Sequence, residues 1–372
     1  GRVDGSRCGV YRVGTPPDGQ LHTIKEFPMA SVPSLTSPAI SFEPVDVWAK
    51  LPPGWTFREV GGVAVDAQDN VYVFNRGEHP IIVFDRDGNF LRSFGEGIYK
   101  QRAHGISVSP DGFVFAVDDS QHAVHKFTPD GKKLMTLGES GKAADTGYKI
   151  GVSPVLRASG PFHRVTNVAV LPSGDMYIAD GYGNARVHKF SKEGKLLFSW
   201  GEPGCGPGQF TLPHGIAVDS AGLVYVADRE NSRVQIFTPA GEYLREWRFV
   251  NRPYDIFIDD QDMLHIAEGG FHNYMMKRSE GPLPAHDQTM IYPPCGHSPI
   301  ARVTVCDPDG KIAAQVGGEN PVLPGNFVAP HGIWADKRGD FYVGEVIVNA
   351  GAVKRMAPLK PAGFQKFRRR AG

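Results

Sequence analysis

The chain has 372 residues, 41% of them hydrophobic and 10% aromatic, which suffices for one large domain or two ordinary ones. Lysines and arginines together number 40, as do aspartates and glutamates, so we expect neither a nucleic-acid nor a membrane partner. No run of about 18 apolar residues suggests a transmembrane helix. The 45 glycines and 30 prolines indicate a turn-rich fold, and the hydrophobic content is too high for a disordered chain.

The N-terminal segment, residues 1–50, is rich in proline and serine and predicts an irregular wrap around the rest of the chain. It shows no basic segment followed by an apolar one, so the compartment stays open. The four cysteines are Cys8, Cys205, Cys295 and Cys306, and they have no CxxC spacing. The last two flank a run that could form a strand pair, which allows a disulfide between them.

One sequence pattern recurs six times along the chain. The first copy reads GGVAVDAQDNVYVFNRGEHPIIVFDRDGNFLRSFG, and the fourth reads HGIAVDSAGLVYVADRENSRVQIFTPAGEYLREW. The last two copies, YDIFIDDQDMLHIAEGG and HGIWADKRGDFYVGEV, are weaker. The copies begin, in chain order, at Gly61, His104, Thr166, His214, Tyr254 and His331. Such self-similarity is typical of repeat architectures.

Each copy predicts four short strands, because β-branched runs alternate with Asp/Gly turns and polar loops. One such unit cannot bury both of its faces, whereas radial stacking around a channel does so and leaves few free edges. We therefore predict an all-β fold, a six-bladed β-propeller over 51–358 that resembles the NHL-repeat propellers. The spacing places insertions near 139–162 and 270–300, which we expect over one channel mouth. Residues 359–372 are expected to form a basic, solvated tail.

The first residue of each copy is the residue expected closest to the axis. It is histidine in the second, fourth and sixth blades, at His104, His214 and His331, and in no other blade. Alternate blades of a six-bladed ring lie about 120° apart, so three imidazoles should converge on one point. Three protein ligands with an open position are typical of catalytic zinc, and imidazole suits zinc better than magnesium or calcium. We predict a zinc site here.

The loops after the second strand contain further candidates. VYVFNRG and VYVADRE align without gaps, which places Arg76 and Arg229 at the same repeat position in the first and fourth blades. In the third blade Gly181 holds this position and Tyr182 follows it. Regular strand alternation would bring these loops to the same end of the blades as the histidines, although solvent-exposed arginines and a packing tyrosine would fit the pattern equally well.

These motifs resemble the peptidyl-α-hydroxyglycine α-amidating lyases. The resemblance spans roughly 55–350, is strongest over 165–235, and is carried by FNRGEH, HGIS, ADGYGNAR, GPGQF and ADRENSR. It implies zinc on the three axial histidines, Tyr182 as the catalytic tyrosine, and Arg76 and Arg229 as functional arginines. It also implies cleavage of the C–N bond of a carbinolamide, which gives an amide and glyoxylate.

The chain departs from that family in several places. The resemblance implies a structural calcium, held partly by backbone carbonyls at positions matching Val63 and Ile106, but the carboxylate expected directly after the third histidine is Gly332. Calcium is therefore an open question. A family cysteine after the tyrosine is Gly183 here, so that disulfide is missing. No copper monooxygenase domain is found in this sequence, so the hydroxyglycine substrate would come from another chain.

The resemblance implies the following chemistry. Zinc would bind the substrate hydroxyl or a water molecule and lower its pKa. Tyr182 would act as general base, with the metal and Arg76 favouring its ionised form. Arg229 would bind a substrate carboxylate or stabilise developing oxyanion charge.

Two alternatives remain open at this stage. One is another metal-dependent hydratase, hydrolase or lactonase that acts on a small molecule. The other is a non-catalytic NHL module that binds protein or RNA on its rim. A small-molecule or peptide-derived substrate is the expected partner, and the oligomeric state stays open.

Overall fold

The computed structural model describes residues 40–99, 102–270, 300–349 and 362–370. Within these residues, six four-stranded antiparallel sheets account for the regular structure, apart from a short parallel strand pair and one 3-10 turn at Arg229–Asn231. The innermost strand of each sheet packs against that of the next sheet, and the sixth returns to the first, which closes a ring. The predicted six-bladed β-propeller is confirmed.

The strands are numbered in chain order, and β1 (Ser41–Val45) is the N-terminal one. The first blade contains β2 (Val60–Val65), β3 (Val71–Asn75), β4 (Ile81–Phe84) and β5 (Phe90–Phe94). The second contains β6 (Ala103–Val108), β7 (Val114–Asp118), β8 (Ala123–Phe127) and β9 (Lys133–Leu137). The third contains β10 (Val165–Val170), β11 (Met176–Asp180), β12 (Arg186–Phe190) and β13 (Leu196–Trp200).

A short parallel pair, β14 (Glu202–Pro203) and β15 (Gln209–Phe210), precedes the fourth blade. That blade contains β16 (Pro213–Val218), β17 (Val224–Asp228), β18 (Arg233–Phe237) and β19 (Tyr243–Trp247). The fifth contains β20 (Pro253–Ile258), β21 (Leu264–Glu268), β22 (Arg302–Cys306) and β23 (Ile312–Val316). The sixth contains β24 (Pro330–Ala335), β25 (Phe341–Glu345), β26 (Phe364–Arg370) and, as its outermost strand, β1.

The second strand of every blade is buried along its whole length. Its apolar residues contact a neighbouring blade on each face, which explains why these segments read as continuous rather than alternating hydrophobic runs. The outermost strands such as β9 and β19 are partly exposed. The hydrophobic core is therefore divided into clusters between adjacent blades.

The sixth blade is completed by both ends of the described chain. β1 pairs antiparallel with β26, so the structure differs here from the irregular wrap predicted for 1–50 and the solvated tail predicted for 359–372. The physical reason is packing, because Phe367 is fully buried and stacks on Phe341 with ring centroids 4.5 Å apart. Two arginines of β26 pair with Glu43 of β1, so the basic residues belong to a sheet.

The last residue of the second strand of the blades is a buried acid or amide. In five blades its side chain forms a hydrogen bond with the segment that leads into the innermost strand, because its side-chain oxygen accepts the backbone N–H of the residue 17 positions earlier. These five side chains are Asn75, Asp180, Asp228, Glu268 and Glu345. Their role is structural, and it holds the loops at this end of the channel in place.

The first predicted insertion, 139–162, lies against the loop that carries Tyr182. Thr146 Oγ1 donates a 2.6 Å hydrogen bond to the carbonyl of Gly183. The second, 270–300, lies almost wholly outside the described residues. Cys295 also lies outside them, and its proposed disulfide partner Cys306 is a buried free thiol. No helix within the described ranges is long and apolar enough to span a membrane.

Candidate metal centre and active site

Three histidine rings meet on the channel axis. His104 lies on β6, His214 on β16 and His331 on β24, the innermost strands of the second, fourth and sixth blades. Their candidate ligand atoms lie within 4.8 Å of one another, and the ring centroids are 4.6–4.7 Å apart. All three rings are buried. The structure therefore brings together the three histidines that the repeat pattern singled out.

A backbone carbonyl from the next blade orients each ring. The Nδ1 atoms donate hydrogen bonds to the carbonyls of the residues that hold the same repeat position in the odd-numbered blades. The three pairs are His104 to Thr166 at 2.6 Å, His214 to Tyr254 at 2.6 Å, and His331 to Gly61 at 2.7 Å. Because a carbonyl only accepts, Nδ1 carries the hydrogen and Nε2 keeps its lone pair. Second partners of this kind fix the ring orientation of metal-binding histidines.

The electrostatic surroundings keep the rings neutral. Burial lowers the pKa of His104, His214 and His331 well below the usual value. A neighbouring histidine lowers the pKa of His104 and of His214 further, and nearby Arg76 or Arg229 lowers the pKa of each ring. A neutral imidazole is the form that binds a metal ion. The three Nε2 atoms are therefore ready to bind a cation without first losing protons.

Tyr182 completes this centre. It follows β11, and its backbone N–H donates to the carbonyl of Arg164. Its hydroxyl oxygen lies 3.1 Å from Nε2 of His104 and 3.1 Å from Nε2 of His214. Since both Nε2 atoms are acceptors, one hydroxyl hydrogen can satisfy only one of them. A shared cation would satisfy the converging lone pairs, so the donor set fits a metal ion.

The two predicted arginines also lie at this centre, and both are buried. Arg229 Nη1 donates to the Tyr182 hydroxyl at 3.4 Å, and its guanidinium also pairs with Glu230. Arg76 pairs with Glu59 and donates through Nε to the carbonyl of Ala103, next to the first axial histidine. The structure thus brings together all six residues singled out from the sequence.

Sequence reasoning missed three further arginines, Arg102, Arg164 and Arg252. The first two place their guanidinium carbons 5.8 Å and 5.2 Å from the centre of the Tyr182 ring, and Arg252 lies 5.5 Å from the ring of Tyr254. All three stand two residues before the axial position of their blades. A comparison at that repeat position would have found them.

The same comparison explains two of the ion pairs. In the first blade, Glu59 stands two residues before the axial position and Arg76 directly follows the second strand. In the second blade, Arg102 and Asp119 hold these two positions. The two residues of each blade form an ion pair with each other. The acid comes first in the first blade, and the arginine comes first in the second. Sequence inspection of single residues could not show this, because the partners are 17 residues apart.

Comparison with known proteins finds an NHL repeat and several relatives of similar sequence. The NHL repeat profile matches residues 210–237. Rat peptidylglycine alpha-amidating monooxygenase is 32% identical over 233 residues, 54% of this chain and 22% of the rat protein. Peptidyl-alpha-hydroxyglycine alpha-amidating lyase 1 of Drosophila melanogaster is 38% identical over 146 residues, 36% of this chain and 25% of the fly protein. The chain contains an NHL repeat and is similar to proteins named as amidating lyases and amidating monooxygenases.

Other similarities set the limits of this assignment. Human NHL repeat-containing protein 3 is 35% identical over 216 residues, 54% of this chain and 58% of the human protein. The chain therefore spans about a fifth to three fifths of the length of these relatives. The solved structure of a streptogramin B lyase matches with a TM-score of 0.52 at 13% sequence identity. The match covers 89% of this chain and 98% of the lyase chain. That likeness shows the propeller fold alone.

The calcium site implied by the amidating-lyase family does not fit these residues. A Cβ atom at Gly332 would lie 2.5 Å from Gly62 Cα, so the backbones of the sixth and first blades are in contact there. Asp255 holds the equivalent repeat position in the fifth blade, and its oxygens accept hydrogen bonds from Asn167 Nδ2 and from the N–H groups of Ile256 and Ile333. Burial raises the pKa of Asp255 to about 7. Protein donors thus satisfy this carboxyl, and we assign no role to calcium.

Proposed function

We propose that this protein is a zinc-dependent lyase that cleaves the C–N bond of an α-hydroxy amide and releases an amide and glyoxylate. The observation that carries this proposal is the position of the Tyr182 hydroxyl, 3.1 Å from the Nε2 atoms of two axial histidines in a buried, arginine-rich centre. Relatives named as amidating lyases support the reaction class.

The metal is proposed from the donor set. His104, His214 and His331 offer three neutral imidazole nitrogens, a set typical of catalytic zinc with one coordination position open. Zinc, when bound, would act as a Lewis acid and lower the pKa of a hydroxyl group or water molecule beside it. Carboxylate and carbonyl ligands, which calcium and magnesium prefer, are absent from this group of three.

Tyr182 is proposed as the general base. It would take the proton of the substrate hydroxyl, and the carbon–oxygen double bond would form as the C–N bond breaks. The electron pair of that bond passes to the nitrogen, which accepts the proton from Tyr182 and leaves as the amide. The guanidinium carbons of three arginines lie 5.2–5.8 Å from the centre of the Tyr182 ring, and Arg229 Nη1 donates a hydrogen bond to its hydroxyl oxygen.

Arg229 is proposed to bind the carboxylate beside the reacting carbon. Its Nη1 atom already contacts the Tyr182 hydroxyl, so a carboxylate held by this guanidinium would have its α-hydroxyl next to the base. Arg76 is buried and donates to the carbonyl of Ala103, next to His104, where it would stabilise charge on the developing carbonyl oxygen. This division of labour follows from which neighbour each arginine contacts.

A hydrolase or lactonase that uses the same centre is the alternative reaction. The three-histidine donor set favours metal-assisted chemistry but does not distinguish attack by water from C–N cleavage. A non-catalytic role is a further outcome of the test below.

The test combines metal analysis with a substrate comparison. The purified chain is dialysed against metal-free buffer, its metal content is measured by mass spectrometry, and α-hydroxyhippurate is then supplied beside simple lactones and esters. We expect one zinc per chain and equal amounts of benzamide and glyoxylate. Hydrolysis of the lactones or esters alone would contradict the lyase assignment, and a protein that binds no metal would contradict the centre itself.

A further inference from the structure

Two clusters of the same design flank Tyr182. In each, one buried carboxylate joins two arginines. The inner cluster consists of Arg229, Glu230 and Arg252, and the outer cluster consists of Arg102, Asp119 and Arg164. The guanidinium carbon of Arg229 lies 5.4 Å from the centre of the Tyr182 ring, and that of Arg164 lies 5.2 Å from it. Both clusters therefore border the same side chain.

The carboxylate of each cluster is ionised. Although burial raises the pKa of Glu230, the charges of Arg252 and Arg229 lower it to about 2. Burial also raises the pKa of Asp119, but the charge and hydrogen bonds of Arg102, with the charge of Arg164, lower it overall. Both acids are thus ionised at neutral pH, and in the outer cluster two guanidinium groups share the single carboxylate of Asp119.

The two clusters differ in their access to solvent. The side chains of Arg229 and Arg252 are 1% and 3% exposed, whereas those of Arg102 and Arg164 are 20% and 10% exposed. The inner cluster is closed around the reacting position. A substrate group that extends away from the reacting position can reach the outer cluster.

The first insertion contributes a hydrogen-bonding group beside the outer cluster. Tyr148 packs against His163 with ring centroids 5.4 Å apart. Its hydroxyl is buried, and the guanidinium of Arg164 lies beside it. Burial raises the pKa of Tyr148, and the nearby Arg164 partly offsets the rise. A hydroxyl donor beside an arginine pair is a suitable environment for a carboxylate.

We propose that the outer cluster binds a second carboxylate of the substrate. This inference rests on the proposed lyase function and specifies its substrate class: an N-acyl-α-hydroxyglycine whose acyl group ends in a carboxylate. The inner cluster binds the carboxylate next to the reacting carbon, and the outer cluster binds the one at the far end. Arg164 and Arg229 lie close to the same ring, so a short dicarboxylic acid spans the two clusters.

The test measures binding with ligands that cannot react. N-succinylglycine carries both carboxylates but lacks the α-hydroxyl, and N-succinamylglycine replaces the far carboxylate with an amide of the same size. Calorimetry on the zinc-loaded full chain should show the diacid binding about tenfold tighter, as expected for one charge-assisted hydrogen-bonding contact. The Arg164→Gln variant should lose this preference. Arg245→Gln, which changes an exposed arginine that contacts Pro308, should retain it.

The outcomes separate the two proposals. Equal affinity of the unaltered protein for both ligands, or a preference that survives in Arg164→Gln, would overturn the second carboxylate site. If Arg164→Gln does not fold, as judged by circular dichroism, Arg102→Gln takes its place. Cleavage of N-succinyl- and N-succinamyl-α-hydroxyglycine is assayed separately. If neither releases glyoxylate, the lyase function and the substrate class fail, whatever the ligands bind.

Discussion

His214 Nδ1 donates a 2.6 Å hydrogen bond to the backbone carbonyl of Tyr254, the residue at the same repeat position in the next blade. The other two axial histidines make the same contact with their own next blades. Because the acceptor is main chain, the contact depends on blade geometry and not on the side chain that the odd-numbered blade carries. The repeat itself therefore directs all three Nε2 atoms to the axis.

This arrangement predicts that each axial histidine is needed for the metal. Substituting His331→Ala should remove one of three converging ligands and reduce both zinc content and C–N cleavage. Mass spectrometry of the dialysed variant and glyoxylate release measure the two effects. The partly exposed His79, which stacks on Trp55, provides the control, and His79→Ala should keep its zinc. Full zinc content in His331→Ala would rule out the proposed ligand set.

Glu230 should stabilise the fold at neutral pH and not in strong acid. Its pKa is about 2 in the folded protein against 4.5 for the free side chain, so its contribution is complete above about pH 4.5 and is lost as the pH falls toward about 2. A shift of this size corresponds to about 3 kcal/mol. Glu230→Gln also removes the carboxylate that both buried arginines contact, so it should lower the free energy of unfolding by about that amount at pH 7.

Urea unfolding of the unaltered protein and of Glu230→Gln at several pH values measures this effect. The gap between the two curves should narrow as the pH is lowered from about 5 to about 2. The exposed Glu193 serves as the control: its pKa is also lowered, by Ser191, but its contacts are solvated, so Glu193→Gln should change the free energy of unfolding much less than Glu230→Gln at every pH. A gap that stays constant with pH would show that Glu230 is not held ionised by its two arginines.

Ionisation of Glu345 should instead destabilise the fold as the pH rises. Burial raises its pKa from 4.5 to about 7, even though the N–H groups of Val328 and Ala329 donate to it. Since the folded protein binds this proton more tightly than the unfolded chain, stability should fall as the pH rises from about 4.5 to about 7. Glu345→Gln removes the ionisation, so it should gain up to about 3 kcal/mol relative to the unaltered protein over that range. Thermal unfolding at pH 5 and pH 8 measures the change, and a relative stability independent of pH would contradict it.

Much of the fold and of the candidate site could be predicted from the sequence because both follow the repeat. Turn residues and apolar runs recur in each copy, and the first residue of a copy is axial wherever the blade forms, which located His104 among thirteen histidines. The closure of the sixth blade could not be predicted in this way, since β1 and β26 join segments more than 300 residues apart. The partners Asp119 and Glu230 were also missed, because a charged residue on a loop has the same sequence signature whether it is solvated or buried beside arginines.

The most direct test of the chemistry is Tyr182→Phe. The ring would keep its contacts with Arg102, Arg164 and Arg229, and the three histidines would still bind zinc, but no oxygen would remain to accept the substrate proton. We expect unchanged metal content and a kcat lower by about a hundred- to ten-thousand-fold, the usual contribution of a general base. Tyr177→Phe is the matched control, because Tyr177 is buried in the same blade and its hydroxyl donates to the carbonyl of Pro239, away from the centre. If Tyr182→Phe turns over α-hydroxyhippurate as fast as Tyr177→Phe, another group removes the proton, and the role assigned to the tyrosine is wrong.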